Sequence, residues 1–461
     1  MKSYLSLFFM AVALGASAQK GAISEDMLQQ IKSSYTGTVT DKALVNAIAD
    51  NSINTLVTNR EKLGEMDTYF SHRVNSKGIT DQKQSGRCWL FTGFNVLRAK
   101  MMAQHGLNSC EFSQVYTFFW DQLEKSNLFL QGIIDTRHRP LTDQMVEWLL
   151  KNPLSDGGTY TGVADLVAKY GIVPAGIMPE TYNSENTARI SALIKEKLRE
   201  NAMELRAMEK ADVKEVEKAK VKMLSTIYRM LVLAFGEPVT SFEWAPKQAD
   251  GKLMGELKTY TPKSFYAEWI GEDLNADYVM LMNDPSREYW KTYEIDFDRH
   301  MYDGHNWLYV NLPIEEIKKM ALASIKDSTM MYFSCDVGKQ LNSKRGLLDL
   351  ENYDYGALFG TTFGMDKKQR IQTFHSGSSH AMTLMAVDVD NQGRFKKWMV
   401  ENSWGSASGY QGHLIMTDEW FDEYMFRLVV NKKYVPSQVL KILKNEPVKL
   451  PAWDPMFAPE E

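Results

Sequence analysis

The strongest constraint on the fold is a change of pattern midway along the chain. From Cys88 the run CWLFTGFNVLRAKMMAQ sets Leu90, Phe94, Leu97 and Met101 at three- and four-residue spacing, the period of a helix face. A second helix is expected near Ser113–Asn127, and a third through GVADLVAKYG, where Gly171 ends it. Residues 185–235 read as one or two long amphipathic helices with Ile190, Leu193, Ile194 and Leu198 on one side. After about residue 327 the period changes. STMMYFSC (328–335) and AMTLMAVDV (381–389) are strand-like, and Asn391-Gln392-Gly393 is a turn before a further strand at 397–401. Residues 413–416 and 428–430 read as two more strands, while 240–310 show no dominant period. Helices thus precede strands instead of alternating with them, which argues for α+β and against a doubly wound parallel sheet.

The 461 residues include 44% hydrophobic and 11% aromatic side chains, enough for a sizeable core. The 53 basic and 58 acidic residues give a net charge of −5, so bulk electrostatic binding of nucleic acid is disfavoured. Residues 1–18 have their own character: a short positive start, the apolar run Tyr4–Leu14, and Ala16-Ser17-Ala18 ahead of Gln19. This is the pattern of a signal peptide cut before Gln19, with an apolar run too short to span a bilayer. No Cys follows the small residues, so no lipid anchor is expected. Loss of Lys2 takes the net charge from −5 to −6. The expected product is exported, periplasmic or secreted.

Chemistry starts from the three cysteines, too few for a disulfide framework. Cys110 and Cys335 sit in ordinary packed contexts. Cys88 follows the polar loop DQKQSGR and opens an apolar helix, where uncommitted N–H groups and the helix dipole favour a thiolate. A thiol nucleophile also needs a base and an oxyanion site. Among eight histidines, His380 stands out between the small loop SGSS and an apolar strand. Pairing of that strand with 397–401 through the Asn391–Gly393 turn brings Asn402 near His380. The Asn402 amide oxygen can then accept the imidazole N–H, and Trp404 can cover that bond.

Gln82 six residues before Cys88-Trp89, a His heading a strand and Asn402-Ser403-Trp404-Gly405 resemble the papain-like cysteine peptidases. QSGRCWLF around Cys88, EFSQVYTFFWDQLEKSN (111–127), CDVGKQ (335–340) and LPAWDPM (450–456) resemble the bleomycin hydrolase and aminopeptidase C family in particular. The resemblance covers roughly residues 25–461. It implies Cys88 as nucleophile, His380 as general base and acid, Asn402 as orienting residue, and Gln82 with the Cys88 N–H as oxyanion hole. It also implies that Gly157 and Gly158 flank the cleft and pair with substrate backbone, although Thr159-Tyr160 departs from the expected continuation. It implies that the C-terminal tail enters the cleft, where the end of the chain, Glu461, holds a substrate's free amine. Homohexamers around an internal cavity are a further implication.

The segments are then a signal peptide (1–18), a helical half carrying the nucleophile (19–184), a mainly helical insertion (185–327), a β-rich half with His380 and Asn402 (328–446) and the active-site tail (447–461). The expected function is a thiol aminopeptidase on short peptides, with no cofactor and no metal. A papain-like endopeptidase is the alternative should the tail stay out of the cleft. A non-catalytic binder has no need of Gln82, Cys88, His380 and Asn402 together. A Cys/His zinc site is rejected, because the cysteines are single and lack C-x2-C spacing.

Overall fold

The structure is a computed structural model and describes residues 21–64, 66–248 and 250–457. The expected signal peptide and Glu461 lie outside the described residues. The chain divides into two units. One comprises residues up to Thr58 together with Asp354–Thr361; the other holds Asn59–Tyr353 and the chain from Thr362 onward. The small unit contains helices α1 (Glu25–Ser34) and α2 (Val39–Asp50). Ser24 caps the first, and Thr38 with Asp41 forms a capping box on the second.

The large unit is α+β. Helix α3 (Cys88–His105) is buried on nearly every face, which explains its apolar composition all round, and Gly106 ends it at φ +63°. Helix α4 (Gln114–Thr136), capped by Ser113, runs nine residues past the expected end at Asn127. Helix α5 (Tyr160–Tyr170) stops at Gly171, where φ is +72° and a Cβ would fall 2.3 Å from the Pro262 carbonyl carbon, so only glycine fits. Helices α6 (Ala188–Ala207) and α7 (Val213–Phe235) pack through Ile194, Leu198 and Leu205 and through Val216, Ile227 and Leu231. Leu193, expected on the buried stripe, is instead 37% exposed, since it lies one residue off the inward-facing row.

The sheet begins earlier than the sequence pattern indicated. Strands β1 (Tyr278–Met282), β2 (Lys291–Ile295) and β3 (Leu308–Asn311) come from the stretch without a dominant period. The β-rich part therefore starts at Tyr278, inside the segment expected to be mainly helical, and not at Ser328. These strands are only four or five residues long and are separated by irregular loops, so no period had room to show. Strands β4 (Met331–Cys335), β5 (His380–Val389), β6 (Phe395–Glu401), β7 (His413–Thr417), β8 (Met425–Asn431) and β9 (Val448–Leu450) follow. The order across the sheet is β9-β2-β3-β1-β8-β4-β5-β6-β7, with short strands at 347–348 and 341–342 beyond β7 and His72–Arg73 on β5. It is mixed: β9 runs parallel to β2 and β1 to β3, while β4 to β7 are antiparallel.

Two of these pairings position the chemistry. β5 pairs with β6 in the register Thr383↔Glu401, and His380 lies opposite Cys335 on β4. Helix α3 is fastened to β6 by Arg98, whose guanidinium meets Glu401 at 2.5 Å and the Gly78 carbonyl at 3.1 Å. Both side chains are buried, and Ser76 donates a further bond to Glu401. Removing one partner of a buried pair strands the other charge. Arg98→Ala is therefore expected to cost ~3–5 kcal/mol in urea unfolding, with Arg98→Lys losing less.

Candidate active site

Helix α3 sets the thiol. Cys88 is its first residue, and the Arg87 N-cap supplies no side-chain acceptor to the free N–H groups. The Arg87 guanidinium is fully buried, reaches Glu180 at 2.8 Å and Ser85 Oγ at 3.0 Å, and lies over the Phe91 and Phe118 rings. Cys88 Sγ is buried and accepts the N–H of Ala381 at 3.4 Å. The residue after His380 thus touches the thiol.

The β5–β6 pairing does what the sequence required of it. His380 Nε2 lies 2.9 Å from Asn402 Oδ1, which also accepts the Ser403 N–H at 2.8 Å. An amide oxygen only accepts, so Nε2 carries the hydrogen and Nδ1 is the nitrogen that can face a thiol. The Trp404 ring lies 4.8 Å from the imidazole centroid at 32° and covers the pair.

Gln82 is held to this group by a zipper between residues 80–82 and 403–405. Gln82 N–H donates to Ser403 O at 2.8 Å, and Gly405 N–H to Thr80 O at 3.1 Å. Ser403 Oγ donates to Gln82 Oε1 at 2.7 Å, and Gln82 Nε2 donates to Ser85 O at 2.7 Å. The amide is therefore anchored at both ends, and its orientation follows from its partners. Ser403 stands in the Asn-Ser-Trp-Gly run, but that it fixes Gln82 is visible only in the structure.

Gly157 and Gly158 form part of the segment Ser155–Thr159, behind which lies a buried ionic group that sequence reading missed. Lys125 Nζ donates to Ser155 O at 3.0 Å and Gly157 O at 2.6 Å and pairs with Asp121 at 2.9 Å. Asp121 Oδ1 meets His300 Nδ1 at 2.5 Å, and Trp89 Nε1 donates to Asp156 O at 2.9 Å. A Cβ on Gly158 would fall 2.1 Å from His300 and 2.9 Å from Trp89. The missing side chain at Gly158 thus admits protein atoms behind the wall, a requirement independent of any peptide in front of it. The one available signal was the i, i+4 spacing of Asp121 and Lys125 in a helix otherwise fit for burial.

The tail runs into the same region. Gly157, Gly158, Lys125, His300 and Trp148 line a cavity of about 520 Å³ together with residues 452–455 and Phe457. Arg287 bridges Asp284 and Asp454, Arg427 donates to Met456 O at 2.8 Å, and Phe457 meets the Trp148 ring edge-on at 5.3 Å. Among the described residues, no group of three His, Cys, Asp or Glu is placed to hold a metal ion.

A buried thiol at a helix start, an imidazole tied to an amide oxygen and a clamped side-chain amide on the preceding loop form the arrangement of a cysteine peptidase. Residues 22–457 match the Peptidase C1-like family. Human bleomycin hydrolase is 41% identical over 401 residues, covering 84% of this chain and 88% of that protein. Aminopeptidase C of Lactobacillus delbrueckii subsp. lactis is 35% identical over 443 residues, 95% of this chain and 98% of that protein. The crystal structure of pepw from Lactobacillus rhamnosis superposes with a TM-score of 0.90 at 35% identity, covering 96% of this chain and all of that one. The chain belongs to the Peptidase C1-like family and is a cysteine aminopeptidase of papain-like fold.

The thiols differ in a way that mass spectrometry can read. Burial, above all, pushes the Cys110 thiol up to about 12, and its S–H points to Met101 Sδ at 3.5 Å. At pH 7 that leaves only about one part in 10⁵ of Cys110 as thiolate. Limited iodoacetamide at pH 7 is expected to modify Cys88 first and to leave Cys110 unmodified in peptide maps.

Proposed function

We propose that the chain is an exported aminopeptidase that removes the first residue of short peptides through a thioester on Cys88. The observation that carries this reading is the tail: residues 452–455 and Phe457 line the same cavity as Gly157 and Gly158, which brings the C-terminal segment to the glycine wall. Glu461, at the end of that tail, is the proposed anchor for the substrate's free amine.

In the proposed reaction Cys88 Sγ attacks the carbonyl carbon while His380 is imidazolium. The oxygen takes up negative charge opposite the Cys88 N–H and one hydrogen of Gln82 Nε2, the other being committed to Ser85 O. The C–N bond breaks, and the His380 Nδ1 proton passes to the leaving amine. His380 then takes a proton from water, whose oxygen attacks the thioester, and the acid and the thiol are released. Asn402 keeps the imidazole pointed at the thiol throughout, and Trp404 keeps water from that bond.

Export rests on the pattern of residues 1–18, and N-terminal sequencing of the extracytoplasmic fraction of the native host is expected to begin at Gln19. Homohexamer formation is proposed from the family resemblance. Exposed Ile23, Met27, Ile31, Val39 and Val45 on the small unit support association of some kind. Light scattering at six times the monomer mass is the expected result, and a monomer would remove the proposal.

Fluorogenic aminoacyl substrates with free and acetylated amines test the function, using the chain from Gln19 with reductant. Cleavage of the free-amine substrate alone, abolished in Cys88→Ala, is expected. Gln82→Ala should lower kcat about 10²–10³-fold. Equal cleavage of both substrates would refute the tail as anchor and leave an endopeptidase.

A further inference from the structure

The backbone groups of the wall Ser155–Thr159 are held one by one by side chains. Ser155 O accepts from Lys125 and from Gln122 Nε2, Gly157 O from Lys125, and Asp156 O from Trp89. The Thr159 N–H donates to His300 Nε2 at 3.2 Å. Because Nε2 accepts there, the hydrogen of a neutral imidazole sits on Nδ1 and is donated to Asp121. Asp121 in turn pairs with Lys125, so one carboxylate ties together the two groups that grip the wall. Burial first, and then the nearby Lys125 charge, lower the His300 pKa and keep the ring in this neutral form. His300 packs 4.6 Å from the Trp89 ring, and Trp89 is the neighbour of Cys88. The whole group is buried, and His300 and Lys125 also border the cavity that the tail helps to line.

We propose that His300, with Asp121 and Lys125, forms a positioning network that fixes the Ser155–Thr159 wall and thereby sets how tightly a substrate's first residue is held. The proposal rests on the aminopeptidase reading for what lies against the wall. The network's bonds run to the wall, and its ring contact is with Trp89, so its loss should weaken substrate binding while the nucleophile keeps its reactivity. An amide can replace the imidazole here: Gln offers an oxygen to the Thr159 N–H and an N–H to Asp121. Leu offers neither.

The test compares His300→Leu and His300→Gln in the full enzyme. Readouts are KM and kcat on a free-amine aminoacyl substrate, and inactivation by iodoacetamide and by an aminoacyl chloromethyl ketone. Iodoacetamide needs only the thiol, whereas the ketone must also lie against the wall. His300→Leu is expected to raise KM and to slow the ketone by about tenfold or more, with kcat and iodoacetamide within about threefold of the parent. His300→Gln should recover most of both losses. Should His300→Leu fail to fold, Lys125→Gln removes the Gly157 and Ser155 bonds and carries the same expectation. Unchanged KM and ketone rates would overturn the proposal, as would a parallel fall in the iodoacetamide rate, which would place the damage at the thiol. A parent that does not turn over the free-amine substrate would refute the aminopeptidase reading, while the ratio of the two inactivation rates would still decide the role of the wall.

Discussion

Everything chemical in this protein hangs on the seam between helix α3 and strands β5 and β6. The thiol comes from the helix, and the imidazole and the amide come from the strands, so neither layer holds a site alone. The seam is closed at one end by the Ala381 N–H on Cys88 Sγ and further along by the buried Arg98–Glu401 pair. A helix and a sheet packed only through apolar side chains can slide by small amounts at little cost. Directional bonds at two points along the seam remove that freedom, and a nucleophile–base pair tolerates displacements of only a few tenths of an ångström.

The strand pairing then carries position outward. The Thr383↔Glu401 register sets Asn402 beside His380, because β6 ends one residue before Asn402 and β5 begins at His380. The zipper of residues 80–82 on 403–405 extends the same order to Gln82, and Ser403 serves both sides of it. Gly405 is required there: its φ is +80°, and a Cβ would lie 3.0 Å from Asp81. A short chain of backbone bonds, completed by the short side chains of Ser403 and Asn402, thus links the Gln82 loop to His380.

Legibility in the sequence followed the length scale of each interaction. Helices α3 to α7 and strands β4 to β8 were readable, since periodicity is a local property of ten or so residues. Cys88, His380, Asn402 and Gln82 were readable because each lies in a short run of recognisable neighbours, and the structure brings these residues into one seam. Strands β1 to β3 were not readable, being short and paired with one another and with the distant β8 and β9. Leu193 was misplaced because two adjacent residues cannot both lie at the centre of one helix face. The role of Gly158 was only half seen: His300, which needs that space, is 142 residues further on.

The buried charges were the least legible, and they share one physical purpose. Arg98, Lys125, Lys367 and Arg427 are buried, and each donates to backbone carbonyls: Gly78, Ser155 and Gly157, Asp422 and Met425, and Met456. Several of these carbonyls belong to loops or to the tail, where no strand or helix supplies a donor. A buried carbonyl without a donor costs about 1–3 kcal/mol, and an apolar side chain of equal volume cannot relieve it. Long cations can, because the charged head reaches several acceptors at the end of an apolar stem. A charged residue in a sequence reads as surface, so this kind of loop fastening stays hidden until the loops are seen. Beside the cavity it is Lys125 that fastens irregular backbone in this way, at Ser155 and Gly157.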